Sequence, residues 1–426
     1  MTTKSGKATK PFDMSLVQRG ARLRRTPFFE ATQRWGAKAY TVYNHTLFPI
    51  CYDDPEREYA HLLKHVTLWD VSVERQVEIT GPDAFEFTNM LTPRDLSKCA
   101  VGQGKYVVIT AEDGGIINDP VLLRLGEKHF WLALADSDVL LWARGVALHS
   151  GLRVNITEPD VSPLQIQGPK AKEVVQALFG DAATKLRYYW FIETNLDGIP
   201  VVVTRTGWTG EVGYEVYLRD GSRGDELWER IMEAGKPYKI RPTGPSDIRR
   251  IEAGILNWGA DMTLENNPYE VGLEYLVSED KTAPYIGRDA LRRIKADGVR
   301  RKLVGVEIEG ERLEMNAAKW PVEVLEMVSD DIADYADYAD YVEAGVEAGR
   351  VTSAIWSPRL KKNIGYAMVP IEYALPGTVL RVKIPSVIEY TLPGTTLRVK
   401  VPSVGERCAT VVPKPFIDPK KEIPKT

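Results

Sequence analysis

Apolar and polar positions alternate with a period of two through Lys105–Thr110, Val121–Leu125, Phe130–Ala135, Val201–Thr204 and Tyr214–Leu218, which predicts a strand at each stretch. Helical segments near Asp138–His149 and Arg223–Ala234 close the two groups. The groups also open alike: Val77-Glu78-Ile79-Thr80-Gly81-Pro82-Asp83-Ala84 and Leu164-Gln165-Ile166-Gln167-Gly168-Pro169-Lys170-Ala171 both read as a strand, a Gly-Pro turn and a helix. Proline is expected at the first helical position, where its fixed φ fits and its missing N–H is not needed. This order predicts two related α+β domains, 26–160 and 161–285, each an antiparallel sheet with helices on one face, and it leaves room for the two to interleave. After about Lys281 the pattern changes to short strands with Pro and Gly turns, which predicts a third domain over 286–412, a small β barrel or sandwich.

The ends and two repeats stand apart from this pattern. Residues 1–25 are basic, with little periodicity, and read as a flexible arm. Ile371–Val387 and Ile388–Val404 are adjacent near-copies differing only at Ala374/Thr391, Val379/Thr396 and Ile384/Val401, and residues 334–341 repeat Asp-Tyr-Ala. Both read as insertions in loops or extra hairpins rather than a solenoid. The stretch 413–426, rich in Lys and Pro, is expected to be disordered.

Charge narrows the partners. The 55 basic and 59 acidic residues are mixed along the chain, and a net charge of −4 gives no field to draw nucleic acid or an anionic membrane. No apolar run approaches the roughly 18 residues of a spanning helix, and the first residues lack the apolar segment of a secretory signal, so a cytoplasmic location is expected. A homodimer is compatible with the sequence. Cys51, Cys99 and Cys408 are too few and too scattered for a disulfide framework and read as free thiols. His61 and His65 would share a helical face, but no Glu follows His61 and no third ligand is suggested, so a surface helix without metal is expected. The GxGxxG, GxxxxGK[ST] and GxSxG patterns are absent, which argues against nucleotide binding and serine hydrolysis.

Two loops carry more specific chemistry. Lys105–Leu125 turns through Glu112-Asp113-Gly114-Gly115 and returns via Ile116-Ile117-Asn118-Asp119-Pro120, which puts Asp119 at the root of a hairpin strand. Thr206-Gly207-Trp208-Thr209-Gly210-Glu211-Val212-Gly213-Tyr214-Glu215 is a glycine-paced loop that runs into a strand. Glycines let backbone approach a flat ligand, an aromatic can stack on it, and a carboxylate can pair with an aminopyrimidine edge. Taken alone, either segment also fits an ordinary hairpin.

Together these segments resemble the folate-dependent glycine-cleavage T-protein family. Further matches are Arg250-Ile251-Glu252-Ala253-Gly254, Asn267-Pro268-Tyr269-Glu270-Val271-Gly272-Leu273 and Gly349-Arg350-Val351-Thr352-Ser353 with Ser357-Pro358, in family order over about Thr26 to Val401. The resemblance implies a three-domain cloverleaf of the α+β class, with two related sheet domains, a C-terminal β barrel and tetrahydrofolate at the centre. It places Asp119 as the catalytic group near the reactive N5/N10 edge, Glu215 against the pterin and Trp208 where the family usually has a tyrosine. Tyr106, Ser137, Tyr214 and Arg250 are further candidate cofactor contacts.

Within the family, Arg24–Phe28, Ala39–His45 and Trp69–Ile79 look like the branch that demethylates dimethylsulfoniopropionate, and Asn118 stands where aminomethyl-transferring members usually carry an acid. Expelling an amine requires a proton, whereas a sulfonium leaves as a neutral thioether, so loss of one carboxylate is tolerable for such a donor. The sulfonium would favour aromatic faces, for which Trp208, Tyr214, Trp190 and Tyr43 are candidates, and a basic residue should hold the donor's carboxylate. The expected function is methyl transfer from dimethylsulfoniopropionate to tetrahydrofolate. The rival readings are an aminomethyltransferase served by a lipoyl carrier and a folate-binding protein without turnover. Another methyl donor, such as a methoxy-aromatic or a betaine, also stays open.

Overall fold

Each of the two sheets gives rise to a helix through a turn that only glycine can make. Gly81 and Gly168 have φ of +124° and +123°, and a Cβ would lie 2.6 Å from the Arg153 carbonyl oxygen in one case and 2.5 Å from that of His65 in the other. The strand Gln76–Thr80 thereby leads into the helix Ala84–Met90, and Ser162–Gln167 into Ala171–Phe179. The prolines do not occupy the first helical position. Asp83 and Lys170 cap the helices, and the Ala84 and Ala171 N–H groups bond back to Gly81 and Gly168, so each proline forms the corner of the preceding turn. The computed structural model describes residues 22–316, 318–324, 346–384 and 405–426.

The first sheet runs Asn155–Thr157, Gln76–Thr80, His129–Ala133, Val121–Gly126, Gln103–Tyr106, antiparallel throughout. The second runs Phe191–Leu196, Ile199–Thr204, Gly213–Leu218, Ser162–Gln167, Thr67–Asp70, Arg241–Pro242. Thr67–Asp70 comes from early in the chain, and the Phe28 ring packs on Trp228 of the Gly224–Gly235 helix at 6.3 Å. Phe28 and the strand Thr67–Asp70 thus belong with the second unit, and a division at residue 160 does not separate the two units.

Alternation along Gly213–Leu218 settles what each face does. Tyr214, Val216 and Leu218 point under the helices into one core, with Val174, Leu227 and Ile231. Tyr217 points the other way and packs with Leu123, Trp131 and Val202, which joins the two sheets face to face. Each large side chain buried there is worth roughly 1.5–3 kcal/mol.

The third unit is a closed barrel rather than a sandwich, in the order Arg301–Ile308, Lys362–Pro370, Val346–Ser357, Trp320–Val324, Val379–Ile384, Gly405–Val412. Val379–Ile384 comes from the first copy of the duplicated segment; residues 388–404 and 334–341 lie outside the described residues.

Residues 413–426 are ordered, contrary to the expectation of disorder. Phe416 stacks on Tyr366 at 6.2 Å, the Ile417 N–H donates to the Glu252 carbonyl, and Arg205 donates to the carbonyl of the buried Pro424. Phe416, set among the lysines and prolines, gives the tail a core contact that its composition conceals. At the other end, residues 1–21 of the expected arm lie outside the described residues, while Arg24 bonds to the His45 carbonyl and pairs with Glu158 at 2.6 Å. The three cysteines are free thiols. Among the described residues there is no helix long and apolar enough to cross a membrane and no cluster of potential metal ligands.

Candidate active site

A cavity of about 820 Å³ opens where the two sheets, the segment 243–258, the barrel and the C-terminal tail meet. One wall is a row of side chains across the second sheet, because Thr204 pairs with Glu215, Glu215 with Gln165 and Gln165 with Trp69. Such opposed residues share a face. Opposite stand Tyr106 and Asp119 of the first unit, and Ile417, Lys421 and Pro424 of the tail complete the enclosure.

The hairpin that carries Asp119 is fixed from both sides. A Cβ on Gly115 would meet the Leu264 carbonyl oxygen at 2.2 Å, so the turn fits only with glycine there. Asn118 is fully buried and does not line the cavity. Its amide donates to the Ala135 carbonyl at 3.0 Å and to Ser137 Oγ at 2.8 Å, and accepts from the Ala135 N–H at 3.1 Å. A carboxylate cannot both donate and accept in this way, so Asn118 serves the 135–137 turn. Ser137, one of the expected cofactor contacts, is the other half of that brace and donates to the Ile117 carbonyl.

Asp119 itself accepts one hydrogen bond, from the Tyr106 hydroxyl to Oδ2 at 2.8 Å. Its Oδ1 is buried without a partner. Burial raises its pKa to about 7, although the Tyr106 bond opposes the rise. A carboxyl in this state exchanges a proton near neutrality.

Glu215 is saturated instead. Gln165 donates to Oε1 at 2.7 Å, while Thr206 at 2.6 Å, Tyr217 at 2.8 Å and Thr204 at 3.4 Å donate to Oε2. Burial still raises its pKa, against those four bonds. With its amide nitrogen donating to Glu215, Gln165 keeps its own Oε1 bare, and Gln165 and Trp69 are the members of the row that line the cavity. The glycine spacing beside it has a local cause: a Cβ on Gly207 or Gly213 would lie 2.3 Å from the amide of Gln167, which holds this loop through Thr209 Oγ1 at 2.8 Å.

The remaining candidates divide. Trp208 lines the cavity and packs on Leu62, Trp69 and Val71. Arg250 does not line it; it is bound to Asp247 at 2.6 Å, to Asp261 at 2.7 Å and to Ser353 at 3.0 Å, which ties the second unit to the barrel, and its guanidinium lies 5.7 Å from the Trp208 ring centre. Tyr214 is fully buried in the core under the helices, on the opposite face of its strand from Glu215, and so is removed from the cavity. Trp190 is covered by Arg187 at 4.1 Å and does not line it either, whereas Tyr43 does.

Among the cavity residues that escaped the sequence reading as site residues are Gln165 and Glu74. Gln165 is a polar residue in a strand whose every position is buried, Ser162–Gln167, and that pattern was a usable signal. Glu74 follows the strand Thr67–Asp70 and lines the cavity; no spacing rule marks it.

Two facing sheets and a barrel around one acid-lined cavity make this a three-domain cloverleaf of the α+β class. Residues 28–281 match the GCVT N-terminal domain, and residues 301–418 match the glycine cleavage T-protein C-terminal barrel domain. The chain belongs to the glycine cleavage T-protein family. Dimethylsulfoniopropionate demethylase DmdA of Ruegeria pomeroyi is 38% identical over 373 residues, which is 88% of this chain and 96% of the relative. An aminomethyltransferase of Geobacillus sp. (strain WCH70) is 31% identical over 370 residues, 85% of this chain and 94% of the relative. The crystal structure of glycine cleavage system aminomethyltransferase T from Bartonella henselae superposes with a TM-score of 0.76 over 93% of this chain and 98% of that one, at 23% identity, a likeness of fold.

Proposed function

We propose that this chain is a tetrahydrofolate-dependent demethylase that moves a methyl group from dimethylsulfoniopropionate to tetrahydrofolate, giving 5-methyltetrahydrofolate and 3-methylthiopropionate. The observation that carries this reading is the greater identity to the R. pomeroyi demethylase, 38%, than to aminomethyltransferases at 31% and 30%, over similar lengths.

The cavity residues fit a folate. A volume of about 820 Å³ is in the range of small-molecule sites. The bare Asp119 Oδ1 and Gln165 Oε1 are acceptors for the N–H groups of a reduced pterin, and Trp208 and Tyr106 offer ring faces. Tetrahydrofolate, held among Asp119, Gln165, Trp208 and Tyr106, would supply N5 as the nucleophile for the donor's methyl, with the S–C electron pair left on sulfur and the N5 proton left for a base.

Asp119 takes that proton on Oδ1, and its raised pKa makes it a willing acceptor just above neutrality. Tyr106 keeps Oδ2 occupied, which aims Oδ1. Glu215 orients the Gln165 amide. Lys421 lines the cavity from the tail without an acid at ion-pair distance among the described residues, and we assign it to the anionic end of a ligand. The apolar walls at Val71, Ala133 and Ile417 exclude water from the reacting atoms.

The test mixes purified protein with tetrahydrofolate and dimethylsulfoniopropionate and follows both products by chromatography. Both products are expected in equal amounts. Consumption of an aminomethyl-lipoyl carrier with ammonia release, and no methylthiopropionate, overturns the reading in favour of an aminomethyltransferase.

A further inference from the structure

Glu74 lines the cavity and has no task in the scheme above. It closes the turn after the strand that carries Trp69, its N–H bonded to the Val71 carbonyl at 2.9 Å. Its carboxyl lines the cavity and, among the described residues, accepts no hydrogen bond and has no cation at ion-pair distance. The charged groups it feels are Glu215 and Asp119, so burial and two like charges all oppose its ionisation.

The surroundings of Glu74 are matched to a particular chemistry. Gln165, 1% exposed, presents its bare Oε1 to the same cavity, a second acceptor without a donor. Tyr43 lines the wall within the field of Glu74 and Asp119, and its ring packs on Phe48 at 5.9 Å. The cavity's arginines do not reach into this deficit, because Arg249 is bound to Glu211 at 2.7 Å and Arg312 is paired with Glu56. Lys421 belongs to the tail side. An acid without a cationic partner beside an aromatic face complements a cation, whose arrival favours the ionised carboxylate.

We propose that Glu74, together with the face of Tyr43, binds the positively charged onium group of the methyl donor and so selects cationic donors over neutral thioethers and ethers. This assignment rests on the methyl-transfer reading. Transfer of the methyl leaves a neutral sulfur, so the contact that held the donor weakens and the product is released.

The test uses the full chain with Glu74→Gln, which keeps shape and hydrogen bonding but removes the charge, beside Glu74→Ala. In Glu74→Gln the KM for dimethylsulfoniopropionate is expected to rise about ten-fold or more, as does the Kd for trimethylsulfonium, a probe with no carboxylate. Inhibition by 3-methylthiopropionate and the Kd for tetrahydrofolate should stay within about two-fold. If Glu74→Gln keeps the wild-type KM while Glu74→Ala loses it, the carboxyl acts as a neutral donor and the proposal falls. It also falls if the wild-type protein does not bind trimethylsulfonium. Wild-type binding of that probe, lost in Glu74→Gln but without any 5-methyltetrahydrofolate formed, would overturn the methyl-transfer reading and support the onium site.

Discussion

Glu215 lies in the second sheet and Asp119 just before the strand Val121–Gly126 of the first, near one cavity, and burial raises the pKa of both, yet they are treated differently. Glu215 accepts from four neutral donors, on strands and a loop held by Gln167. Asp119 accepts from one and keeps an oxygen bare. A saturated acid contributes geometry, since moving it would strand four donors. A bare one contributes reactivity, since a ligand can still supply what the protein withholds.

The sharpest way to break this comparison is Asp119→Asn. Turnover is expected to fall by about 10²- to 10⁴-fold with tetrahydrofolate affinity little changed, read from single-turnover formation of 5-methyltetrahydrofolate beside equilibrium binding. Unchanged turnover would remove Asp119 from the reaction. Glu215→Gln should instead act on the fold, costing on the order of 2 kcal/mol as donors lose their acceptor, seen as a lower denaturation midpoint at unchanged m-value. Trp208→Ala is expected to weaken tetrahydrofolate binding by about ten-fold or less, the scale of one aromatic contact, measured by fluorescence titration.

The smallest effect concerns pH. Proton acceptance needs the Asp119 carboxylate, whose pKa is about 7, so kcat/KM should rise as pH climbs through 7 and level off above. Tyr106 stabilises that carboxylate, so Tyr106→Phe should move the limb to higher pH. The linkage to stability has the opposite sign from a salt-bridged acid. The folded pKa is raised above the ordinary 3.8, so ionised Asp119 weakens the fold most above pH 7 and hardly at all below pH 4. Asp119→Asn should accordingly raise Tm more at pH 8 than at pH 4.

Period-two alternation in the sequence made the two sheets legible, short strands between Pro and Gly turns marked the third domain, and the matched segments made the family legible. Of the residues singled out in the sequence, Asp119, Tyr106 and Trp208 line the cavity. Tyr214 and Glu215 are adjacent in one strand and cannot share a face, so the same alternation already argued against assigning both to one pocket. Asn118 shows the converse limit. Its type was noticed, but only the fold reveals that it serves the Ala135 backbone. The ordered tail was hidden because composition averages over Phe416, and Glu74 because its isolation from partners is a property of three dimensions.

The barrel has one place for the strand Val379–Ile384, between Trp320–Val324 and Gly405–Val412. The chain writes nearly the same words twice, Leu380-Arg381-Val382-Lys383-Ile384 and Leu397-Arg398-Val399-Lys400-Val401. Leu380 and Val382 fill that place in the barrel core, and the sequence repeats the same residue types at Leu397 and Val399, whereas the Asp119 hairpin is written once.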